Sequence, residues 1–168
     1  MPQPTIEHRS ACITPDERYR YWLERRWGGA QYDSPAVIWC MLNPSTADAL
    51  IDDPTIRRCI GFTDSWGFGR LVVVNLYAYR ATEPAALRLR TPAERFGPDN
   101  AAHLHHWTRV PSARILVCAW GGNRLDPVPE AITTATRYAL GFTANGEPLH
   151  PLYLPADLKL IRVSDAKV

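Results

Sequence analysis

The sequence predicts an α/β fold: three layers, α/β/α, around a central, mainly parallel four-stranded sheet, with a β-hairpin at the N-terminus. Three observations carry that expectation. Short apolar runs at Val37–Leu42, Leu71–Val74 and Arg114–Ala119 lack polar alternation, as strands buried on both faces do. Stretches with helical spacing lie between them, the pattern of βαβ units. Each apolar run stops at turn chemistry: Asn43-Pro44, Asn75, and Trp120-Gly121-Gly122. The 168 residues suffice for one domain with a substantial core, the hairpin at about 5–27 and the core at about 36–155.

Taken in order, residues 5–12 and 18–27 flank Thr14-Pro15-Asp16-Glu17, and Tyr19, Tyr21, Leu23 and Trp27 fall at even spacing. That alternation predicts the hairpin, with a short helix over 16–26 as the competing assignment. Gly28-Gly29 breaks the chain before the first core strand, 37–42. After it comes a loop of small polar residues, Ser45, Thr46 and Asp48, and then Asp52-Asp53-Pro54 opens a helix. Asp53 is suited to cap that helix, with Pro54 in its first turn. Ile56, Cys59, Ile60 and Thr63 share one helical face, and Gly67 is a fitting stop. The second strand, 71–74, ends at Asn75. Residues 76–98 form a long excursion with one helical turn after Pro84, and connections of that length are commonly functional. A helix is expected from Asp99 to about Arg109, a third strand over 114–119, a helix over 129–140 and a fourth strand near 138–143. The chain closes with the turn Asn145-Gly146 and the stretch Glu147–Leu154.

Composition bounds the function. Apolar residues at 46% and charged residues at 21% are ordinary for a globular chain in water. No apolar run is long enough to span a bilayer, and the first residues lack an apolar secretion core, so the expected compartment is the cytoplasm, with no membrane partner. The four cysteines, Cys12, Cys40, Cys59 and Cys118, include no CxxC pair and read as reduced thiols rather than metal ligands. His103, His105 and His106 cannot share one helical face, so no metal site is expected there. The net charge is only +2, but from Pro54 to Pro98 seven arginines (57, 58, 70, 80, 88, 90, 95) face Asp64, Glu83 and Glu94. That excess fits a phosphate-facing surface, with Arg57 and Arg80 its candidate contacts, and equally fits a solvated shell.

In open parallel sheets ligands sit beyond the carboxyl ends of the strands. Here those ends carry Asn43-Pro44-Ser45-Thr46, Asn75 and Trp120-Gly121, and a later loop brings His150-Pro151. In that order the four motifs resemble the uracil-DNA glycosylase superfamily. Its first strand ends in Gly-x-(Asp/Asn)-Pro, its second in an apolar run closed by Asn, its third in Leu-Trp-Gly, and a His-Pro-Ser loop follows. More closely, LNPSTAD, DDPTIRRC, NLYAYRAT and HPLYL look like the signature of the family called domain of unknown function 1643, over roughly residues 18–155.

The superfamily resemblance implies hydrolysis of a base–sugar bond in DNA, on a damaged or modified base flipped from the stack. It places Asn43 at the position that holds the attacking water and His150 at the donor to the base carbonyl. It makes Asn75 the base reader, and Leu152 and Tyr153 the wedge that fills the vacated stack. Pro44, Ser45, Thr46, Asp48, Tyr77 and Trp120 complete the expected substrate-binding set. Asn43 cannot ionise, so it can orient water without acting as a strong base. The sequence departs from the superfamily at Leu152, where the loop motif has Ser, and at Ser45. No cofactor is required by that chemistry, and the protein is expected to act as a monomer on DNA or a nucleotide. Two alternatives stand beside it. One is a non-catalytic binder of nucleotide or nucleic acid. The other is a hydrolase of free nucleosides or nucleotides, in one version using Mg²⁺ held by Asp48, Asp52 and Asp53.

Overall fold

The apolar runs that stop at Leu42, Val74 and Ala119 form the centre of the sheet, and every residue of the first two is buried. The computed structural model describes residues 3–45 and 47–164. Its strands are β1 (His8–Ile13), β2 (Arg20–Arg26), β3 (Ala36–Met41), β4 (Arg70–Asn75), β5 (Ala113–Cys118), β6 (Arg137–Ala139) and β7 (Ile161–Arg162). Its helices are α1 (Pro54–Ser65), α2 (Pro92–Phe96), α3 (Asn100–Arg109) and α4 (Glu130–Thr133), with short 3₁₀ segments at Pro84–Leu89, Gly121–Asn123 and Pro151–Tyr153.

The strands make one seven-stranded sheet in the order β1-β2-β4-β3-β5-β6-β7. Its pairings are mixed: β4/β3, β3/β5 and β5/β6 run parallel, while β1/β2, β2/β4 and β6/β7 run antiparallel. The sheet is therefore larger than the expected four-stranded, mainly parallel one. The hairpin β1/β2 forms at the expected place, but it is not an appendage. Residues 22–26 of β2 pair with residues 70–74 of β4, because the alternation of β2 buries Leu23 on one face while the edge of β4 needs a partner. β7 adds a second edge strand from a tail whose two strand residues are exposed.

Successive residues of β3 and β4 point to opposite faces, and each face meets its own helices. Val37, Trp39, Met41, Leu71 and Val73 pack with Ile56, Cys59, Ile60 and Phe62 of α1. Ile38, Cys40, Val72 and Val74 pack with Leu104 and Trp107 of α3 and Ile132 of α4. Asp53 caps α1, accepting from the Ile56 N–H at 2.8 Å, and α2 carries a capping box between Thr91 and Glu94.

The helix expected over 129–140 is only one turn, Glu130–Thr133. The Thr133 and Thr134 hydroxyls donate back to the Glu130 carbonyl, and the β-branched residues Ile132, Thr133, Thr134 and Thr136 disfavour continuation. The next residues are taken by β5 as a parallel neighbour, so the fourth expected strand begins at Arg137 and ends at Ala139. No helix among the described residues is long and apolar enough to cross a membrane.

Candidate functional site

The register of the central strands lines up their carboxyl ends. Met41 lies opposite Asn75, and Cys40 opposite Cys118, with the Ala119 N–H bonded to the Cys40 carbonyl at 2.8 Å. β2 runs the other way, so its first residues meet the last residues of β4: Trp22 pairs with Val74, and the Arg20 N–H reaches the Ala78 carbonyl at 3.0 Å. The start of β2 and the ends of β3, β4 and β5 thus share one rim. A cleft of about 480 Å³ opens there, a size suited to a small-molecule ligand.

Asn43, Ser45, Asn75, Trp120, His150, Leu152 and Tyr153 all line this cleft. Asn43 is held at the mouth by its amide nitrogen, which donates to the Pro44 and Ala81 carbonyls at 3.0 and 2.8 Å. Two carbonyl acceptors fix the amide's orientation, and its free group is Oδ1, an acceptor. Asn75 is fixed through its backbone: Asn100, at the start of α3, donates to the carbonyls of Asn75 and Leu76, both at 3.1 Å. Its side chain is 1% exposed, and neither Nδ2 nor Oδ1 has a protein partner. No other described residue leaves two buried side-chain polar atoms in that condition. A buried amide without partners costs about 1–3 kcal/mol, so Asn75 holds open a donor and an acceptor side by side.

His150 begins the 3₁₀ turn over Pro151–Tyr153. Its Nδ1 accepts from the Leu152 N–H at 3.3 Å, which sets the neutral tautomer with the proton on Nε2. Burial lowers its pKa, against an opposing pull from Asp53, so the ring is neutral at pH 7. The loop is tied down on both sides. The Gly121 N–H donates to the Pro148 carbonyl at 2.9 Å, and Arg58 of α1 donates to the carbonyls of Pro151 and Leu154. The Trp120 indole N–H is spent on Glu147 at 2.7 Å, and Glu147 also pairs with Arg124. Burial works to raise the Glu147 carboxyl, but those two hydrogen bonds outweigh it and hold it below its usual range. Trp120 therefore contributes a fixed ring wall.

Other expected site residues do other work. The Tyr77 hydroxyl accepts from the Leu125 and Asp126 N–H groups at 2.8 and 2.9 Å, and its ring lies in the core on the α3 side, away from the cleft. Asp48 closes its own turn, accepting from Leu50 and Ile51, and Asp52 pairs with Arg25 at 2.7 Å. With Asp53 spent on the cap, the three carboxylates have separate partners, and no three His, Cys, Asp or Glu of the described residues are grouped to hold a metal ion. Arg57 is exposed on α1 and donates to the Asp52 carbonyl, while Arg80 donates to the Glu17 carbonyl. Neither lines the cleft, nor does Pro44, whose carbonyl anchors Asn43. Thr46 lies outside the described residues.

One charged cleft residue, Arg20, had no such signal in the sequence, whereas Asp53 is expected there from the loop beyond the first core strand. Arg20 and Asp53 are the formally charged groups of the lining. Arg20 sits in the hairpin, which the apolar pattern alone sets apart from the strand ends, and Asp53 looks like a cap, which it also is. The antiparallel β2/β4 pairing is what delivers Arg20 to the rim.

Residues 20–152 match the model of one protein family, whose description is Protein of unknown function (DUF1643). No curated protein and no solved structure matches the chain significantly.

Proposed function

The chain belongs to the DUF1643 family, and from its cleft we propose that it is a base N-glycosylase-like hydrolase, acting on the base–sugar bond of a damaged or modified nucleotide in DNA. The observation that carries this is Asn75: a buried amide with an open donor beside an open acceptor, on the wall of a cleft that also holds Asn43 and His150. A heterocycle edge with a carbonyl next to a ring N–H is the complement of that amide. Trp120 supplies a flat apolar wall beside it. The resemblance of Asn43-Pro44, Asn75, Trp120-Gly121 and His150-Pro151 to the uracil-DNA glycosylase motifs supports the same reading.

In this reaction the bond from the sugar C1′ to the base nitrogen breaks, and its electron pair leaves with the base. The His150 Nε2–H donates a hydrogen bond to the base carbonyl as that charge grows. Such a preorganised donor is worth about 3–4 kcal/mol in the transition state. Water bonds through its oxygen to C1′. Asn43 Oδ1 accepts one of its hydrogens and orients it, and the released proton passes to the departing base or to solvent. Asparagine is a weak base, so the enzyme depends on leaving-group stabilisation more than on water activation.

The test is abasic-site formation, read by alkaline cleavage, on single-stranded and duplex oligonucleotides carrying uracil, hypoxanthine, xanthine and alkylated bases. Cleavage on at least one is expected, with His150→Ala lowering kcat by about 10²–10³-fold and Asn43→Ala also slowing it. Affinity for a modified base without turnover would replace the enzyme with a binding protein. Full activity in both variants would remove the proposed roles.

A further inference from the structure

Arg20 is an unusual wall for a cleft. Its side chain is 2% exposed, it forms no ion pair with any described residue, and its Nη1 donates to the Ala47 carbonyl at 2.5 Å. Nε is buried with no partner, and Nη2 makes no hydrogen bond to a described residue. Burial pulls its pKa down to about 10, with Asp53 opposing. Asp53 and, more weakly, Asp48 offset its charge without pairing with it, and one Asp53 oxygen already caps Ile56. A guanidinium fixed by one backbone carbonyl, with donors to spare, is prepared for a bidentate acceptor. β2 sits next to β4, so this cation and the Asn75 amide line the same cleft.

We propose that Arg20 is the anion-binding residue of this cleft, so that the ligand is a nucleoside phosphate: the base edge on Asn75 and a phosphoryl or phosphodiester oxygen on the Arg20 guanidinium. This deepens the base-binding reading and rests on it. The phosphate is either that of a free nucleotide or that of the strand next to the flipped base. Because Asp53 offsets part of the charge, the contact works through directed hydrogen bonds rather than through a net positive field.

The experiment is a binding titration, followed by calorimetry and by the Arg20 Nε–H resonance in a ¹H–¹⁵N spectrum of the full chain. The probes are deoxyuridine, deoxyinosine, their 3′- and 5′-monophosphates, inorganic phosphate, and single-stranded oligonucleotides with those bases and no terminal phosphate. At least one monophosphate or oligonucleotide is expected to bind about 10- to 100-fold tighter than its nucleoside, the gain of a charge-assisted hydrogen-bond pair. The Arg20 resonance moves with it, and Arg20→Gln brings the affinity ratio of phosphate to nucleoside down to about one. Arg20→Lys, which keeps the charge but not the fork, retains only part of the gain. A gain confined to oligonucleotides assigns the phosphate to the strand, and one shared by monophosphates assigns it to a free nucleotide. Equal affinity for nucleoside and phosphate, a gain that survives Arg20→Gln, or an unmoved Arg20 resonance in the wild type would overturn the proposal. The wild-type resonance decides even if Arg20→Gln fails to fold. If inorganic phosphate shifts Arg20 while no probe responds to Asn75→Ala, the anion site stands and the base reading falls.

Discussion

Asn75 is a residue whose chemistry runs against stability. Its amide is buried beneath the cleft without a partner, so replacing it with an apolar group of similar size removes a desolvation cost. Asn75→Leu is expected to stabilise the fold by about 1–3 kcal/mol, seen as a higher urea midpoint, while ligand binding is lost. A lower midpoint would mean that the amide has a structural role. Asn43 behaves in the opposite way. Its nitrogen donates to two carbonyls, so Asn43→Asp turns two hydrogen bonds into oxygen–oxygen repulsion. It is expected to lose about 1–3 kcal/mol of stability rather than to gain a useful base. For His150 the sign follows from burial. Its folded pKa is depressed below the ordinary histidine value, so the folded state binds fewer protons than the unfolded one just below pH 6.5. Its contribution to stability is full above the unfolded pKa and lost as pH falls through the folded one. Protonation also puts a hydrogen on Nδ1, which now accepts from Leu152. Activity is therefore expected to stay flat from pH 7 upward and to fall only in the acid range, and an His150 NMR titration midpoint above 6.5 would contradict this. At this scale Asn43, Asn75 and His150 were legible because each interrupts apolar sequence with a polar group. Tyr77 misled, because aromatic content says nothing about which side of the sheet the ring takes.

Between elements, the decisive link joins α1 to the His150 loop. Arg58 leaves the helix to reach the carbonyls of Pro151 and Leu154, and its guanidinium also lies 4.8 Å from the Phe62 ring centroid. Arg58→Ala is expected to speed amide hydrogen exchange at Leu152 and Leu154, whose N–H groups bond within the same turn, while exchange in β3 and β4 stays slow. Unchanged exchange in the loop would show that it is held by other contacts. The pattern of apolar runs found β3, β4, β5, α1 and α3 because burial on both faces and a cap at Asp53 are written locally. It overextended α4, because Thr133 and Thr134 end the helix through their own hydroxyls and a neighbouring strand takes the residues that follow. It treated the hairpin as separate, because strand partners are decided across the sheet rather than along the chain.

Over the whole molecule, a mixed seven-stranded sheet sets a polar rim on an apolar body. Cys40, Cys59 and Cys118 are buried in that body, and burial raises all three thiols. In native protein a thiol reagent is expected to label only Cys12, and all four cysteines after denaturation. Rapid native labelling of more than one would mean that the sheet opens readily. Residues of β2, β3 and β4, the turn after β5 and the last loop line one cleft, and the larger claim is the proposed one, that this cleft takes a flat ring. Its most direct test is a titration of uracil and hypoxanthine, as free bases and as nucleosides, into labelled protein while the Asn75 side-chain NH₂ and the His150 Nε2–H are observed. Both groups are expected to shift together with one binding constant, and Asn75→Leu to abolish the response at His150. Shifts at neither group, or at one without the other, would contradict a shared heterocycle site.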